Sequence, residues 1–222
     1  MVNPGAVVQA NFQTEGRGRL GRKWESQPEN GLLFSMLLYP PLPESHLPLI
    51  GLLASLALVD ALSALIGRSQ SLELRWPNDI LFDGKKLCGI LCESAQSLSG
   101  QKLIAAGIGI NVNQSEEDFP GDFRTPATSL YLITGKRNNP SKLLPSMLHS
   151  LGIYLDRLAQ DGWEWVAKEW IDRAELIDKT VDVADGKARF SGKVANILPD
   201  GALVIIQGGG AMRTIRSGEW IV

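Results

Sequence analysis

The alternation of apolar runs and turn-forming residues predicts a mixture of strands and helices over the first three quarters of the chain. The longest apolar stretch, residues 47–66, is interrupted by polar residues and glycine, which is typical of a buried helix rather than a membrane span. The Asp83-Gly84 dipeptide between two apolar runs predicts a hairpin turn. Predicted strands are 6–12, 32–39, 72–75, 80–82, 86 onward and 103–112, and predicted helices are 45–65, 141–158 and 162–174.

The pattern changes after about residue 177, where short apolar pieces alternate with closely spaced turn signals. The density of these turns predicts a small β-barrel rather than further helices. The boundary between the two regions is expected near Ile177. The turn signals are Asp185-Gly186, Ser191-Gly192, Pro199-Asp200-Gly201, Gly208-Gly209-Gly210 and Ser217-Gly218.

The composition describes an ordinary globular chain of 222 residues with a formal net charge of −2. This charge gives no signal for nucleic acid, and the local basic cluster in residues 17–23 fits a small anionic ligand better. On a strand, Cys88 and Cys92 would share a face about 13 Å apart, too far for a disulfide. Two reduced thiols, and the absence of a signal-peptide pattern, favour a cytoplasmic protein.

Residues 13–26 are rich in glycine and arginine and have little apolar content, which predicts a loop, and glycine and arginine alternate within it at 16–22. Glycines let successive backbone N–H groups approach an anion, and the arginines match phosphate or carboxylate oxygens. Because Arg17, Arg19 and Arg22 repel one another, the loop should stay mobile until an anion binds. A solvated basic loop is the alternative for this pattern alone.

Two further charged positions carry open alternatives. Pro77 ends the predicted strand 72–75, and the following Asp79 could hold a metal ion, orient a cation or simply form a turn. Lys86 begins an otherwise apolar strand. Its side chain could extend to solvent or present a fixed ammonium group to a carboxylate or phosphate.

Residues 107–113 combine glycine and amide positions with period two. Alternation places Gly107, Gly109, Asn111 and Asn113 on one face and leaves the aliphatic residues between them for the core. Such a face has room for a flat ligand and supplies donors and acceptors beside it. A bulge or close backbone packing is the alternative interpretation.

Taken together and in this order, these segments resemble the biotin–protein ligase family. The resemblance rests on Gly-Arg-Gly-Arg-Leu-Gly-Arg at 16–22, Arg-Trp-Pro-Asn-Asp at 75–79, Lys-Leu-Cys-Gly-Ile-Leu at 86–91, Gly-Ile-Gly-Ile-Asn at 107–111 and Ala-Thr-Ser-Leu at 127–130. It extends over most of the chain and is specific as a set.

The resemblance implies an α/β (α+β) fold in two parts. Residues 1–176 would form a catalytic domain like that of class II aminoacyl-tRNA synthetases, with a mixed sheet and helices, and residues 177–222 an SH3-like barrel. The implied reaction joins biotin and ATP, with Mg²⁺, to biotinyl-5′-AMP and pyrophosphate. A lysine of the biotin carboxyl carrier protein, the acetyl-CoA carboxylase subunit, then takes the biotin and releases AMP. Neither DNA nor membrane is an expected partner, and a homodimer is compatible with the family.

The resemblance also implies roles for individual residues. The positions implied to bind biotin are Gln13, Gly16, Arg17, Lys86 and Gly89. The positions implied to bind ATP and the adenylate are Arg19, Arg22, Trp24, Asn111 and Asp79, and Lys86, Arg17 and Arg19 are the implied catalytic residues. Asp79 keeps its possible metal role.

Three departures from the family pattern bear on these expectations. The family has a Ser-Thr-Asn stretch, which helps hold biotin, before the strand with which this sequence begins, so the 1–176 domain is expected to lack it. Cys88 replaces a more usual alanine and should share the face of Lys86 if the strand is regular. No helix-turn-helix pattern precedes the catalytic part, so the DNA-binding variant is not expected. The alternatives are a biotin- or adenylate-binding module without ligation, and a related lipoate ligase or octanoyl transferase.

Overall fold

The computed structural model describes residues 5–40, 42–67, 72–96, 100, 102–119, 125–186 and 188–220. Two antiparallel sheets and four helices account for the regular structure of these residues. In chain order they are β1 (Val7–Ala10), β2 (Gly31–Leu38), α1 (Leu49–Ile66), β3 (Leu72–Arg75), β4 (Asp79–Phe82), β5 (Lys85–Gln96), β6 (Lys102–Asn111), α2 (Leu130–Thr134), α3 (Pro140–Asp161), α4 (Glu164–Ala174), β7 (Thr180–Asp185), β8 (Ala188–Ile197), β9 (Leu203–Ile206), β10 (Met212–Ile215) and β11 (Glu219–Trp220).

The first sheet has six strands in the order β1-β2-β6-β5-β4-β3, and every pair of neighbours is antiparallel. The expectation of a mixed sheet is therefore wrong for the described residues. The predicted hairpin is confirmed, because Asp83 and Gly84 both have positive φ (48° and 73°) between β4 and β5. Short connections of this kind join neighbours in antiparallel order. In the described part of the chain, the one parallel contact is an isolated bridge between Lys86 and Ala127.

One face of this sheet is covered by helices. The inward side chains of β5 and β6, such as Ile90, Ile108 and Ile110, lie in the core that also contains α1. By length and composition α1 could span a membrane, but 61% of it is buried inside the protein. It packs against β3, β4, β5, α3 and α4, which confirms the prediction of a buried core helix.

The C-terminal residues form a five-stranded antiparallel sheet in the order β10-β9-β8-β7-β11. Of the predicted turn glycines, Gly186 (60°), Gly201 (80°), Gly209 (87°) and Gly210 (84°) have positive φ. The turn predicted at Ser191-Gly192 is wrong, because both residues lie within β8 and pair with β7. This sheet contacts the first one through the buried Trp76, whose Nε1 donates to the Gly201 carbonyl over 3.0 Å. The C-terminal sheet thus lies directly beside the segment that leads into β4.

Candidate active site

The uncovered face of the six-stranded sheet forms the floor of a cavity of about 1080 Å³. Strands β5 and β6 supply the floor, and the segment between β1 and β2 supplies the wall. All ten residues to which the family resemblance assigns a binding role line this cavity: Gln13, Gly16, Arg17, Arg19, Arg22, Trp24, Asp79, Lys86, Gly89 and Asn111. Segments that are far apart in sequence are therefore brought together at one place.

The glycine- and arginine-rich segment folds back on itself as a tight loop. The Gly18 amide donates to the Arg22 carbonyl over 2.8 Å, and the Trp24 amide donates to the Gly16 carbonyl over 2.9 Å. A Cβ atom at Gly16 would lie 2.2 Å from the Trp24 carbonyl oxygen, so only glycine fits there. This return of the chain delivers the Trp24 side chain to the cavity.

Two arginines of the loop are held from opposite sides. Arg17 Nη2 lies 2.9 Å from Glu93 Oε2 in an exposed ion pair, while Arg19 Nη1 donates to the Gly218 carbonyl over 3.4 Å. Burial lowers the pKa of Arg19, and the positive charge of Arg22 lowers it further, whereas the carboxylate of Asp79 opposes the shift. The Arg19 guanidinium stays charged in any case. A partly desolvated cation facing a cavity favours an anionic ligand.

A bulge in β5 directs Lys86 into the cavity. Ile80 pairs with Cys88 and Leu81 with Lys86, so Leu87 is the additional residue on that strand. Because a bulge reverses the alternation of side chains, Lys86 faces the cavity and Cys88 is fully buried in the core. The expectation that Cys88 shares the face of Lys86, which assumed a regular strand, is therefore wrong.

Asp79 and Lys86 form an ion pair at the cavity floor. Lys86 Nζ lies 2.8 Å from Asp79 Oδ1, and the two side chains are only 25% and 19% exposed. Of the three alternatives for Asp79, this contact favours the orientation of a cation. No group of three or more His, Cys, Asp or Glu side chains among the described residues could hold a metal ion.

The floor glycines make room for Trp24. Gly89 and Gly109 are direct partners on β5 and β6, and a Cβ atom at Gly109 would lie 2.6 Å from the indole ring. At Gly89 the corresponding distance to the ring is 2.8 Å. The sequence predicted space for a flat ligand at the glycines of β6. The indole fills the part of that space above Gly109, so a ligand there would meet Trp24 rather than the bare strand.

Amide side chains at the end of β6 have two different roles. Asn111 lines the cavity, as expected, and its Oδ1 accepts from Gln114 Nε2 over 3.2 Å. Asn113 does not line it and instead donates to the carbonyls of Glu29 (3.2 Å) and Asn138 (2.7 Å). Asn113 thus ties loops together, because β6 ends at Asn111 and the alternation stops. Gln114 is a cavity residue that sequence periodicity did not identify.

Both cysteines are free, which confirms the prediction of unpaired thiols. Burial raises the pKa of Cys92 to about 12, although the nearby Arg19 charge opposes the shift. Burial also raises the pKa of Cys88 well above its usual range. Neither thiol is a nucleophile near neutral pH.

Comparison with known proteins places the chain among relatives of known activity. Residues 2–113 match the model of the biotin/lipoate A/B protein ligase family. The chain is 33% identical over 201 residues to the bifunctional ligase/repressor BirA of Bacillus spizizenii, covering 90% of this chain but 61% of that protein. It is 31% identical over 203 residues to the biotin–[acetyl-CoA-carboxylase] ligase of Paracoccus denitrificans, covering 90% of this chain and 83% of that protein.

A solved structure agrees over nearly the whole chain. The biotin protein ligase from Aquifex aeolicus in complex with biotin and ATP superposes with a TM-score of 0.81 at 35% identity. The match covers 99% of this chain and 89% of that one. The family match, the relatives and this structure agree, and the chain therefore belongs to the biotin/lipoate A/B protein ligase family, among the biotin–protein ligases.

Proposed function

We propose that this protein uses ATP to attach biotin to a specific lysine of a biotin carboxyl carrier protein, through biotinyl-5′-AMP. The observation that carries the proposal is that Lys86 and three arginines line the same cavity as the indole of Trp24 and the amides of Asn111 and Gln114. Two anions that must react with each other need fixed positive charge around them. One relative is named a biotin–[acetyl-CoA-carboxylase] ligase, and the matching solved structure is a biotin protein ligase with biotin and ATP, so biotin is favoured over lipoate.

The biotin end of the cavity is assigned to Gln13, Gly16, Arg17, Lys86 and Gly89. Lys86 is supported in this role because Asp79 holds its ammonium group at the floor, where it can bind a carboxylate. Asp79 thereby orients a cation rather than reacting itself. Arg17 sits at the exposed side of the loop, where release from Glu93 would free it to bind ligand.

The nucleotide end is assigned to Arg19, Arg22, Trp24, Asn111 and Asp79. The arginines line the cavity near Lys86, so the α-phosphate of ATP can lie between these cations. A carboxylate oxygen of biotin attacks that phosphorus, the bond to the bridging oxygen breaks, and pyrophosphate leaves. Magnesium would arrive bound to ATP, where it would offset the charge of the phosphates.

The second step joins the activated biotin to the carrier. The amine of the carrier lysine attacks the carbonyl carbon of the mixed anhydride, loses a proton and expels AMP. Closing the 13–26 loop over the anhydride would keep water away from it. Lys86, Arg17 and Arg19 are assigned as the catalytic residues.

The two parts of the chain are assigned to the two domains that the family resemblance implies. Residues 1–176 are assigned to a catalytic domain of the class II synthetase type, supported by a six-stranded antiparallel sheet with helices on one face. Residues 177–222 are assigned to an SH3-like barrel, supported by five short antiparallel strands. A cytoplasmic location is proposed from the two free thiols.

The proposal is tested by biotin binding and by release of pyrophosphate from ATP. We expect calorimetry to detect biotin binding and pyrophosphate to appear only when biotin is present. Lys86→Ala should slow release roughly 10²- to 10³-fold, the usual effect of losing one preorganised group at a developing charge. Lys85→Ala is the matched control, because Lys85 is the exposed neighbour outside the cavity. Normal pyrophosphate release by Lys86→Ala would refute the role of that lysine, and release without biotin would refute the proposed reaction.

A further inference from the structure

Gln114 lines the cavity and carries a buried side-chain acceptor without a partner among the described residues. The residue follows β6, is 6% exposed and lines the cavity. Its backbone carbonyl accepts from Ser129 Oγ over 2.6 Å, which fixes its position. Its side-chain Oε1 is buried and has no hydrogen-bond partner among the described residues. A buried acceptor without a donor is unfavourable, so a ligand that supplies a donor to Oε1 would stabilise this arrangement.

The orientation of the amide is determined by its neighbours. The Lys86 carbonyl accepts from the Thr128 amide over 2.9 Å and from Asn111 Nδ2 over 3.4 Å. A carbonyl oxygen can only accept, so the amine end of Asn111 must face it and Oδ1 must face Gln114. The amine end of Gln114 therefore faces Asn111 over 3.2 Å. Its Oε1 is left as an acceptor, which only a hydrogen-bond donor can satisfy.

The surroundings of this acceptor suit the edge of a flat heteroaromatic ring. The indole of Trp24 lies above Gly109, two residues before Asn111 on the same strand face. A planar base can stack on the indole while its edge meets the amide pair. Stacking alone would accept every base, because each has a π-face. The acceptor at Gln114 adds a preference for a base that carries an amine at that edge.

We propose that Gln114 determines the nucleotide specificity of the cavity by accepting a hydrogen bond from the exocyclic amine of adenine. This inference rests on the proposed use of ATP. It attributes the discrimination between nucleotide bases to Gln114. A base with a keto group at that position would bring oxygen against oxygen. A base without a substituent would leave Oε1 unpaired. Sites built to bind a donor reject analogues that lack it far more strongly than apolar pockets do.

The experiment compares three nucleotides that differ only at position 6 of the purine. The α,β-methylene triphosphates of adenosine, inosine and purine riboside are titrated calorimetrically in the presence of biotin and Mg²⁺. The methylene bridge prevents pyrophosphate release, so binding is measured without turnover. The wild-type protein should bind the adenosine compound roughly tenfold or more tightly than the other two, the effect of about one lost hydrogen bond.

Two variants test whether Gln114 causes the preference for the adenosine compound. Gln114→Leu should bring the three dissociation constants to within about threefold of one another, because a leucine has no acceptor. Gln207→Leu is the matched control outside the cavity and should keep the wild-type preference. Thermal unfolding of both variants verifies that each is folded. Equal binding of the three compounds by the wild-type protein would overturn the inference even if Gln114→Leu does not fold, and Gln114→Glu, which keeps an acceptor, should then keep the preference for adenosine.

The outcomes separate this inference from the proposed function. Equal binding of the three compounds by the wild-type protein, or an undiminished preference in folded Gln114→Leu, would overturn the inference alone. Absence of any nucleotide binding would overturn it together with the proposed use of ATP. A preference that depends on Gln114 without biotin-dependent pyrophosphate release from ATP would support the inference and refute the ligase function.

Discussion

The two faces of the six-stranded sheet are built from the same strands but differ in the side chains that cover them. On β6, Ile108 and Ile110 point into the core, while Gly109 and Asn111 point into the cavity. The core face is filled by aliphatic side chains that pack against helices. The cavity face leaves space with glycine and then refills it with Trp24 from a distant loop. Burial of apolar area thus explains the first face, and room for ligands explains the second.

The two faces also differ in the charged side chains that they carry. The core face carries no charged side chain among its buried residues in the described part of the chain. The cavity face carries the Lys86–Asp79 pair and the arginine loop, where burial lowers the pKa of Arg19. Such cations destabilise the free protein slightly and become favourable when an anion binds. Substitutions on the two faces should therefore affect different properties.

The largest expected effect on stability is at the core face. Ile110→Ala should lower the free energy of unfolding by about 2–4 kcal/mol, because it removes buried methyl groups and leaves a cavity. Urea unfolding measures the change. The fraction that remains folded should keep its affinity for biotin and ATP, since the Ile110 side chain lies in the core and does not line the cavity. A loss below about 1 kcal/mol would contradict its assignment to a close-packed core.

The neighbouring residue on the other face should show the opposite behaviour. Gly109→Ala places a Cβ atom 2.6 Å from the indole, so Trp24 has to move. We expect kcat/KM for ATP to fall roughly ten- to hundredfold, the effect of misplacing a binding group by about 1 Å. The free energy of unfolding should change by about 1 kcal/mol or less, because Trp24 lies on a loop that can shift.

The control for this change is a glycine with open space around it. Gly152 lies in α3, and a Cβ atom there meets nothing within 4 Å. Gly152→Ala should leave kcat/KM for ATP unchanged and stabilise the helix slightly. Equal effects of the two substitutions on kinetics would show that the space above Gly109 is not needed by Trp24.

The smallest expected effect concerns the rim of the cavity. The Arg17–Glu93 ion pair is exposed, with side chains 71% and 47% accessible, so Glu93→Gln should cost less than about 1 kcal/mol of stability. It should nevertheless make the 13–26 loop more sensitive to trypsin, because one anchor is lost. Biotin and ATP together should restore protection, as expected for a loop that orders on binding an anion.

The matched control is another exposed ion pair far from the cavity. Lys102 Nζ lies 2.6 Å from Glu44 Oε1, and Glu44→Gln removes this pair without touching the loop. Glu44→Gln should leave cleavage in residues 13–26 at the wild-type rate. Equal sensitivity of the two variants to trypsin would show that Glu93 does not anchor the loop. A loop that resists trypsin without ligand would contradict its predicted mobility.

Most of the core face could be predicted from sequence, because apolar periodicity directly reports burial. The strand at 72–75, the hairpin at Asp83-Gly84 and the core helix at 49–66 follow from local rules. Most of the cavity residues were identified by resemblance of ordered motifs, whereas Gly107, Gly109 and Asn111 were also placed on that face by periodicity. Short motifs name the residues of a site without specifying which side chains touch.

The remaining features depend on contacts between distant segments. The bulge that turns Lys86 toward the cavity arises from pairing of β5 with β4, and no local pattern reports it. The position of Trp24 depends on contacts between its loop and strands β5 and β6. The unpaired Gln114 acceptor depends on Asn111 and on α2, a helix that was not predicted. The antiparallel order of the whole sheet likewise depends on which strands become neighbours.

The central claim is that the cavity joins biotin to the α-phosphate of ATP. The most direct measurement is mass spectrometry of the small molecules after incubation of the protein with biotin, ATP and Mg²⁺ without a carrier. The account predicts biotinyl-5′-AMP, formed in equal amount to pyrophosphate by the wild-type protein and at a greatly reduced rate by Lys86→Ala. Pyrophosphate without the adenylate, or the adenylate formed equally well by Lys86→Ala, would contradict it.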